Sequence, residues 1–167
     1  MPRSVPRRSR NVPTLSHLDA RGDARMVDVS DKPVTRRTAV ARGRLVVSPD
    51  AMRLARAGRL PKGGVVEVGR LAGVLAAKRT ADAIPLCHPI PLEHVDVVLK
   101  PRRDGFEIEA RVVTVGRTGA EMEALHAVAV AGLALYDMIK AADRGMVLTD
   151  VRLVRKTCGV RGDYERP

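Results

Sequence analysis

A chain of 167 residues with 45% hydrophobic content supports one domain with a real core and leaves little room for a second. Aromatic residues make up only 2%, so the core is aliphatic, and a sheet that reads RNA by stacking bases on aromatic side chains is disfavoured. Lys and Arg number 30 against 19 Asp and Glu, a net charge of +11 that points to an anionic partner, and no apolar run of membrane-spanning length is free of charge.

Residues 1–14, MPRSVPRRSRNVPT, hold almost nothing to bury. They predict a disordered basic arm ahead of a single domain over 15–167. No apolar signal core follows the basic start, which predicts a cytoplasmic chain. Met26 to Val29 reads as a short extended segment, and Val34 to Leu45 as a strand with an Arg-rich face. Ser48-Pro49 opens a short helix over Ala51 to Ala57, which Gly58 ends. Lys62-Gly63-Gly64 is a loop that sets a cation on open backbone. That suits a phosphate, although the Walker spacing is missing.

Val65 to Lys78 predicts a second helix, whose Gly69, Ala72, Gly73, Ala76 and Ala77 permit close packing. Ile84 to Pro91 is expected to be extended, because its prolines forbid helix. Leu92 to Lys100 and Phe106 to Val115 read as strands joined by a turn at Asp104-Gly105. In the second, Phe106, Ile108, Ala110 and Val112 share a face. Thr118-Gly119-Ala120-Glu121 reads as a capping box for a helix that runs to about Ala142 and stops by Gly145. Met146 to Lys156 is a last strand, and Gly159 to Pro167 a polar tail. The order strand, helical segment, strand, strand, helix, strand predicts an α+β domain. This is the ferredoxin-like split βαβ pattern, an antiparallel sheet with helices on one face.

The long helix carries Glu121, Glu123, His126, Asp137 and Lys140 among Ala, Val and Leu. Charges in an apolar setting are costly unless they are paired or used. By angle, Glu123, His126, Asp137 and Lys140 fall broadly along one stripe that Val130 and Leu133 interrupt, which suits a crevice or subunit interface. Asp137 and Lys140, at i and i+3, can pair. Fourteen residues of helix rise about 21 Å, so Glu123 and Asp137 of one chain cannot touch the same reacting atom. Either they grip two ends of an extended ligand or the site joins two subunits, and the second reading favours an oligomer with shared sites.

Cys87 and His88 sit between prolines. As neighbours in extended chain they point to opposite sides, so they form no nucleophile dyad, and His88 is the better candidate for ligand binding or proton transfer. Lys78, Arg79 and Lys156 add possible phosphate ligands. Cys87 and Cys158 form no CxxC pair, so the chain calls for no metal and no cofactor, and free thiols fit a reducing compartment.

Several of these segments occur together in one known family. IPLCHPIPL at 84–92, GRTGAEMEAL at 116–125, YDMIKA at 136–141 and VRLVRKTCG at 151–159 resemble the molybdenum cofactor biosynthesis protein C family, as do MVDVSDK at 26–32 and AGVLAAKRT at 72–80. The resemblance spans about Leu15 to Glu165. It implies a ferredoxin-like fold and a homohexamer built as a trimer of dimers, with sites at dimer interfaces. It also implies conversion of a cyclised GTP derivative to cyclic pyranopterin monophosphate, a lyase reaction that releases pyrophosphate. By motif, the family's catalytic aspartate falls on Asp137, with Lys140, Lys62, Lys156 and His88 beside it. Substrate-binding positions fall on Leu86, Cys87 and His88 and on Met122 and Glu123, with Glu121 nearby. The chain departs from the family pattern in two places. Gly64 stands where an acid is common, and Lys156-Thr157-Cys158-Gly159-Val160 where Lys-Ser-Gly-Gly-Lys is common.

Overall fold

Alternating apolar residues build a five-stranded sheet in the computed structural model, which describes residues 18–19, 21–59, 64–159 and 162–167. The N-terminal arm and Lys62, both singled out above, lie outside the described residues. In chain order the elements are β1 (Thr35–Val46), α1 (Pro49–Arg56), α2 (Val65–Lys78), α3 (Thr80–Ala83), β2 (His94–Arg102), β3 (Gly105–Gly116), α4 (Glu121–Ile139), β4 (Val147–Gly159) and β5 (Gly162–Glu165). The strands lie side by side as β2-β3-β1-β4-β5, every neighbouring pair antiparallel. With β1 and β3 central and β2 and β4 outside them, the first four strands are the ferredoxin-like sheet that was expected.

Helices α2 and α4 cover one face. Ala39, Ala41 and Leu45 of β1 and Phe106, Ile108, Ala110 and Val112 of β3 meet Ala124, Ala127, Val128, Ala131 and Leu135 of α4 in one buried cluster. Each large aliphatic or aromatic side chain buried there contributes roughly 1.5–3 kcal/mol. Small residues set the spacing: a β-carbon at Gly73 would lie 3.0 Å from the Ala127 carbonyl, and one at Gly43 would lie 2.7 Å from a Val128 methyl. Helix α4 has the length and apolarity of a membrane span, but its inner side packs on α2 and the sheet as a core helix does.

The expected cap of α1 forms: the Ala51 amide donates to Ser48 Oγ, and Pro49 opens the helix. The expected cap of α4 does not. That helix begins at Glu121 with Ala120 at its N-cap and no side-chain cap, because Glu121 is engaged elsewhere, as described below. It ends at Ile139, one residue before Lys140. Residues 26–29 form no strand, and Ile84 to Pro91 is not extended throughout. It starts with a turn, closed by the Cys87 amide on the Ile84 carbonyl, that follows the one-turn helix α3. The polar tail supplies β5, whose four residues are all exposed.

Cys158, near the end of β4, adopts a φ of 61°. This left-handed conformation costs an L-residue about 1–2 kcal/mol, and it accounts for glycine at this place in the family pattern. Cys158→Gly relieves the strain and adds backbone entropy to the unfolded chain, so a net stabilisation of about 0.5–1 kcal/mol is expected. Urea unfolding at fixed protein concentration checks it: the midpoint rises while the slope stays the same.

Candidate active site

Segments distant in sequence converge at the N-terminal end of α4. Glu121 turns back over Gly119, where a β-carbon would collide with its carboxylate. From there Glu121 Oε1 accepts a hydrogen bond from Lys156 Nζ of β4 at 2.9 Å, with both side chains about one-third exposed or less. This ion pair diverts Glu121 from the capping role that the spacing had suggested.

Glu123 lies inward instead. It is 2% exposed, and its Oε1 accepts from the Cys87 thiol at 3.6 Å. Its Oε2 is buried with no hydrogen-bond partner. Burial pushes the Glu123 carboxyl above the usual range, and the nearby Glu121 charge adds to that. Burial and the facing Glu123 push the Cys87 thiol up to about 11. The expected single stripe of Glu123, His126, Asp137 and Lys140 therefore breaks at its first member, because the segment around Cys87 covers the first turn of α4.

His88 is fixed from another direction. Its Nε2 donates to the Val27 carbonyl at 2.7 Å, so Nδ1 is the nitrogen left for other chemistry. Neighbouring Cys87 looks to Glu123 and to the His88 carbonyl, and the two side chains form no dyad, as expected. His88 and Glu123 share a cavity of about 120 Å³ that Lys78, Arg79 and Thr80 also line. Leu86 is half-buried, while Met122 is exposed on the outer side of the helix.

The C-terminal end of α4 holds the other cluster. Asp137 Oδ1 pairs with Lys140 Nζ at 2.8 Å, both more than half exposed. Because α4 is unbroken from Glu121 to Ile139, the helical rise keeps this pair about 21 Å from Glu123 within one chain. The structure thus brings together Cys87, His88, Glu121, Glu123 and Lys156 and holds Asp137 and Lys140 apart from them.

Two contacts had no sequence signal. The Val27 carbonyl is a backbone group, although the MVDVSDK segment marked its neighbourhood. Thr80 Oγ1 lies 3.2 Å from His126 Nδ1 and within reach of the Ala76 and Ala77 carbonyls, a pairing that exists only because the start of α3 is packed against α4. A larger depression of about 470 Å³ lies on the helix-free face of the sheet. Arg42, Arg44, Glu107 and Glu109 of its lining are held in the pairs Arg42–Glu109, Arg44–Asp104 and Arg102–Glu107, and Lys100, Asp150 and Arg152 complete its charged wall. Among the described residues, no three His, Cys, Asp or Glu side chains are grouped to hold a metal ion.

The family model described as "MoaC family" matches residues 26–159, the stretch that contains every site residue above. The chain belongs to the MoaC family. Relatives named cyclic pyranopterin monophosphate synthase are similar along nearly their whole length. The one from Thermomicrobium roseum is 56% identical, covering 91% of this chain and 93% of its own. The one from Parvibaculum lavamentivorans is 56% identical over 90% and 96%. The one from Chloroflexus aurantiacus is 54% identical over 92% and 95%. In this MoaC chain the motif positions for Leu86, Cys87, His88, Glu121 and Glu123 all fall around one end of α4.

The raised Cys87 thiol leaves little thiolate at neutral pH, and only the deprotonated form is nucleophilic. Alkylation by iodoacetamide near neutral pH should therefore modify exposed Cys158 first, with Cys87 slower by roughly 100-fold. Peptide mass spectrometry over time reads the ratio, and equal rates would contradict the buried, carboxyl-facing thiol.

Proposed function

We propose that this protein is a cyclic pyranopterin monophosphate synthase. It converts the cyclised GTP derivative 3′,8-cyclo-7,8-dihydroguanosine 5′-triphosphate to cyclic pyranopterin monophosphate and pyrophosphate, as a phosphorus–oxygen lyase of molybdenum cofactor biosynthesis in the cytoplasm. The observation that carries this reading is the convergence of Cys87, His88, Glu121, Glu123 and Lys156 in a chain that is 56% identical to enzymes of that name.

The residue types suit the chemistry. Rearranging a purine to a pterin needs protons moved on and off ring atoms, which a carboxyl, an imidazole and an Asp–Lys pair can do. Closing a cyclic phosphate expels pyrophosphate, and cations stabilise the charge that builds on the leaving group. Lys140, Lys156 and Lys62 are the cations assigned to that role. In the free protein Lys156 rests on Glu121, so a triphosphate competes with a carboxylate for it. The basic balance of the chain draws the anionic substrate in.

The separation of the two clusters favours sites shared between subunits, in a homohexamer assembled as a trimer of dimers. The outer side of α4 between the clusters is apolar, with Leu133 58% exposed and Val130 half-buried. An antiparallel crossing of α4 with its own copy, centred near Val130, brings the partner subunit's Asp137 level with the N-terminal end of α4, on the outer side of the helix from buried Glu123. It covers that apolar surface in the same step.

Asp137→Asn and Lys140→Ala should each lower turnover at least about 100-fold while the assembly stays intact. Pyrophosphate release from the cyclised GTP intermediate measures this, with light scattering for mass. Subunit mixing tests the shared site. Asp137→Asn and Glu123→Gln chains, each inactive alone, should regain roughly a quarter of wild-type turnover when co-assembled, because one random pairing in four restores a complete site. No recovery from mixed assemblies would confine each site to one chain.

A further inference from the structure

The Cys87 side chain is given no proton-transfer step above, yet the fold presses it onto a buried carboxyl. The turn at Ile84 to Cys87 aims Sγ at Glu123 Oε1. The same thiol lies 3.8 Å from the His88 carbonyl, so its position is limited from two sides. Oε1 is thereby occupied. Oε2 is buried without a partner on a residue that lines the cavity shared with His88. A buried acceptor with nothing to accept from is costly in a carboxylate. A carboxyl proton on Oε2 removes the buried charge, which is the larger part of that cost, and turns the orphaned atom into a donor whose partner a ligand can supply.

We propose that Cys87 is a positioning residue: its S–H occupies Oε1 of Glu123, so that the carboxyl proton resides on Oε2 and Glu123 faces the cavity as the proton donor of the site. The acceptor it suits is a carbonyl oxygen or a lone-pair ring nitrogen of a purine-like ring. Assigning that acceptor to the cyclised GTP substrate rests on the function proposed above. On transfer, the Oε2–H bond breaks, the proton joins the acceptor, and the electron pair stays on a carboxylate that still accepts from Cys87.

A thiol suits this position better than a cation. It is a weak donor, so it orients the carboxyl without forcing ionisation, whereas an ammonium at Oε1 would hold the carboxylate form. The charges around Glu123 agree. Glu121 on its own helix favours the protonated form, and the Lys156 that could oppose this is paired with Glu121. Lys78 at the end of α2, Arg79 just after it, Asp82 of α3 and the His88 ring share the cavity. Its two cations stabilise the carboxylate once the proton has left.

Two measurements on the assembled protein decide it. The first is infrared difference titration without substrate, from about pH 5 to about pH 9. A carboxylic-acid carbonyl band absent from Glu123→Gln should persist in wild type above the range of ordinary carboxyls. Its loss should move to higher pH in Cys87→Ala, where a donor to the charged form is gone, and return to or below the wild-type value in Cys87→Ser. The second is the basic fall of kcat/KM, where activity needs the protonated acid and so disappears above its pKa. That fall should shift in the same directions, while Glu123→Gln loses about 100-fold or more in kcat with KM little changed. No Glu123 band above about pH 6 overturns the neutral acid. A band and a pH profile that ignore both Cys87 variants overturn the role of the thiol. A wild-type protein without turnover rejects the proposed function, and the infrared titration still decides the state of Glu123.

Discussion

A straight helix is a ruler, and α4 fixes what the rest of this molecule can do. Its buried side, from Ala124 through Leu135, is held against β1 and β3, so the helix can neither bend nor slide without opening the core. Its two ends are consequently fixed relative to each other. One end gathers an ion pair, a thiol, an imidazole and a buried acid, while the other offers Asp137 and Lys140 in the open. Chemistry that needs both ends must import one of them from another copy, and the apolar residues between the ends supply a surface for doing so.

The N-terminal end is organised by a division of labour between two acids two residues apart. Glu121 meets a cation and stays in contact with solvent. Glu123 meets a thiol and is cut off from it. Both distinctions follow from what covers the helix at that point. Lys156 reaches over from β4 on one side, and the turn after α3 sets Cys87 down on the other. Two identical side chains are thereby given different surroundings, one ion-paired and open to solvent, the other buried against a thiol.

The parts of the fold legible in the sequence were those with strong local signals. Helix α2 runs from Val65 to Lys78, as its small-residue pattern indicated, and the face that Phe106, Ile108, Ala110 and Val112 share is buried. What was missed lacked such signals. β5 has four exposed residues and no apolar alternation, so only pairing with β4 makes it a strand. α3 is one turn long. The start of α4 was misjudged because a capping box is a local competition, and Glu121 was won by Lys156 from 35 residues away. In the site, helical period grouped Glu123 with Asp137, and no periodicity encodes which end of a helix a distant turn will cover. Cys87 and His88 stood out as residue types, but their partners, Glu123 and the Val27 carbonyl, are products of the tertiary fold.

Gly119 has a wider consequence. The Glu121 carboxylate occupies the space that any side chain at residue 119 would need, and that same carboxylate neutralises Lys156. A residue with even one more carbon would push the acid outward and release the ammonium. The ion pair would then open and leave both the ammonium and the carboxylate available to a ligand, although no ionisable group had been added or removed. The pairing is governed by a steric fact about backbone, and a neutral replacement at residue 119 can redistribute charge around Lys156.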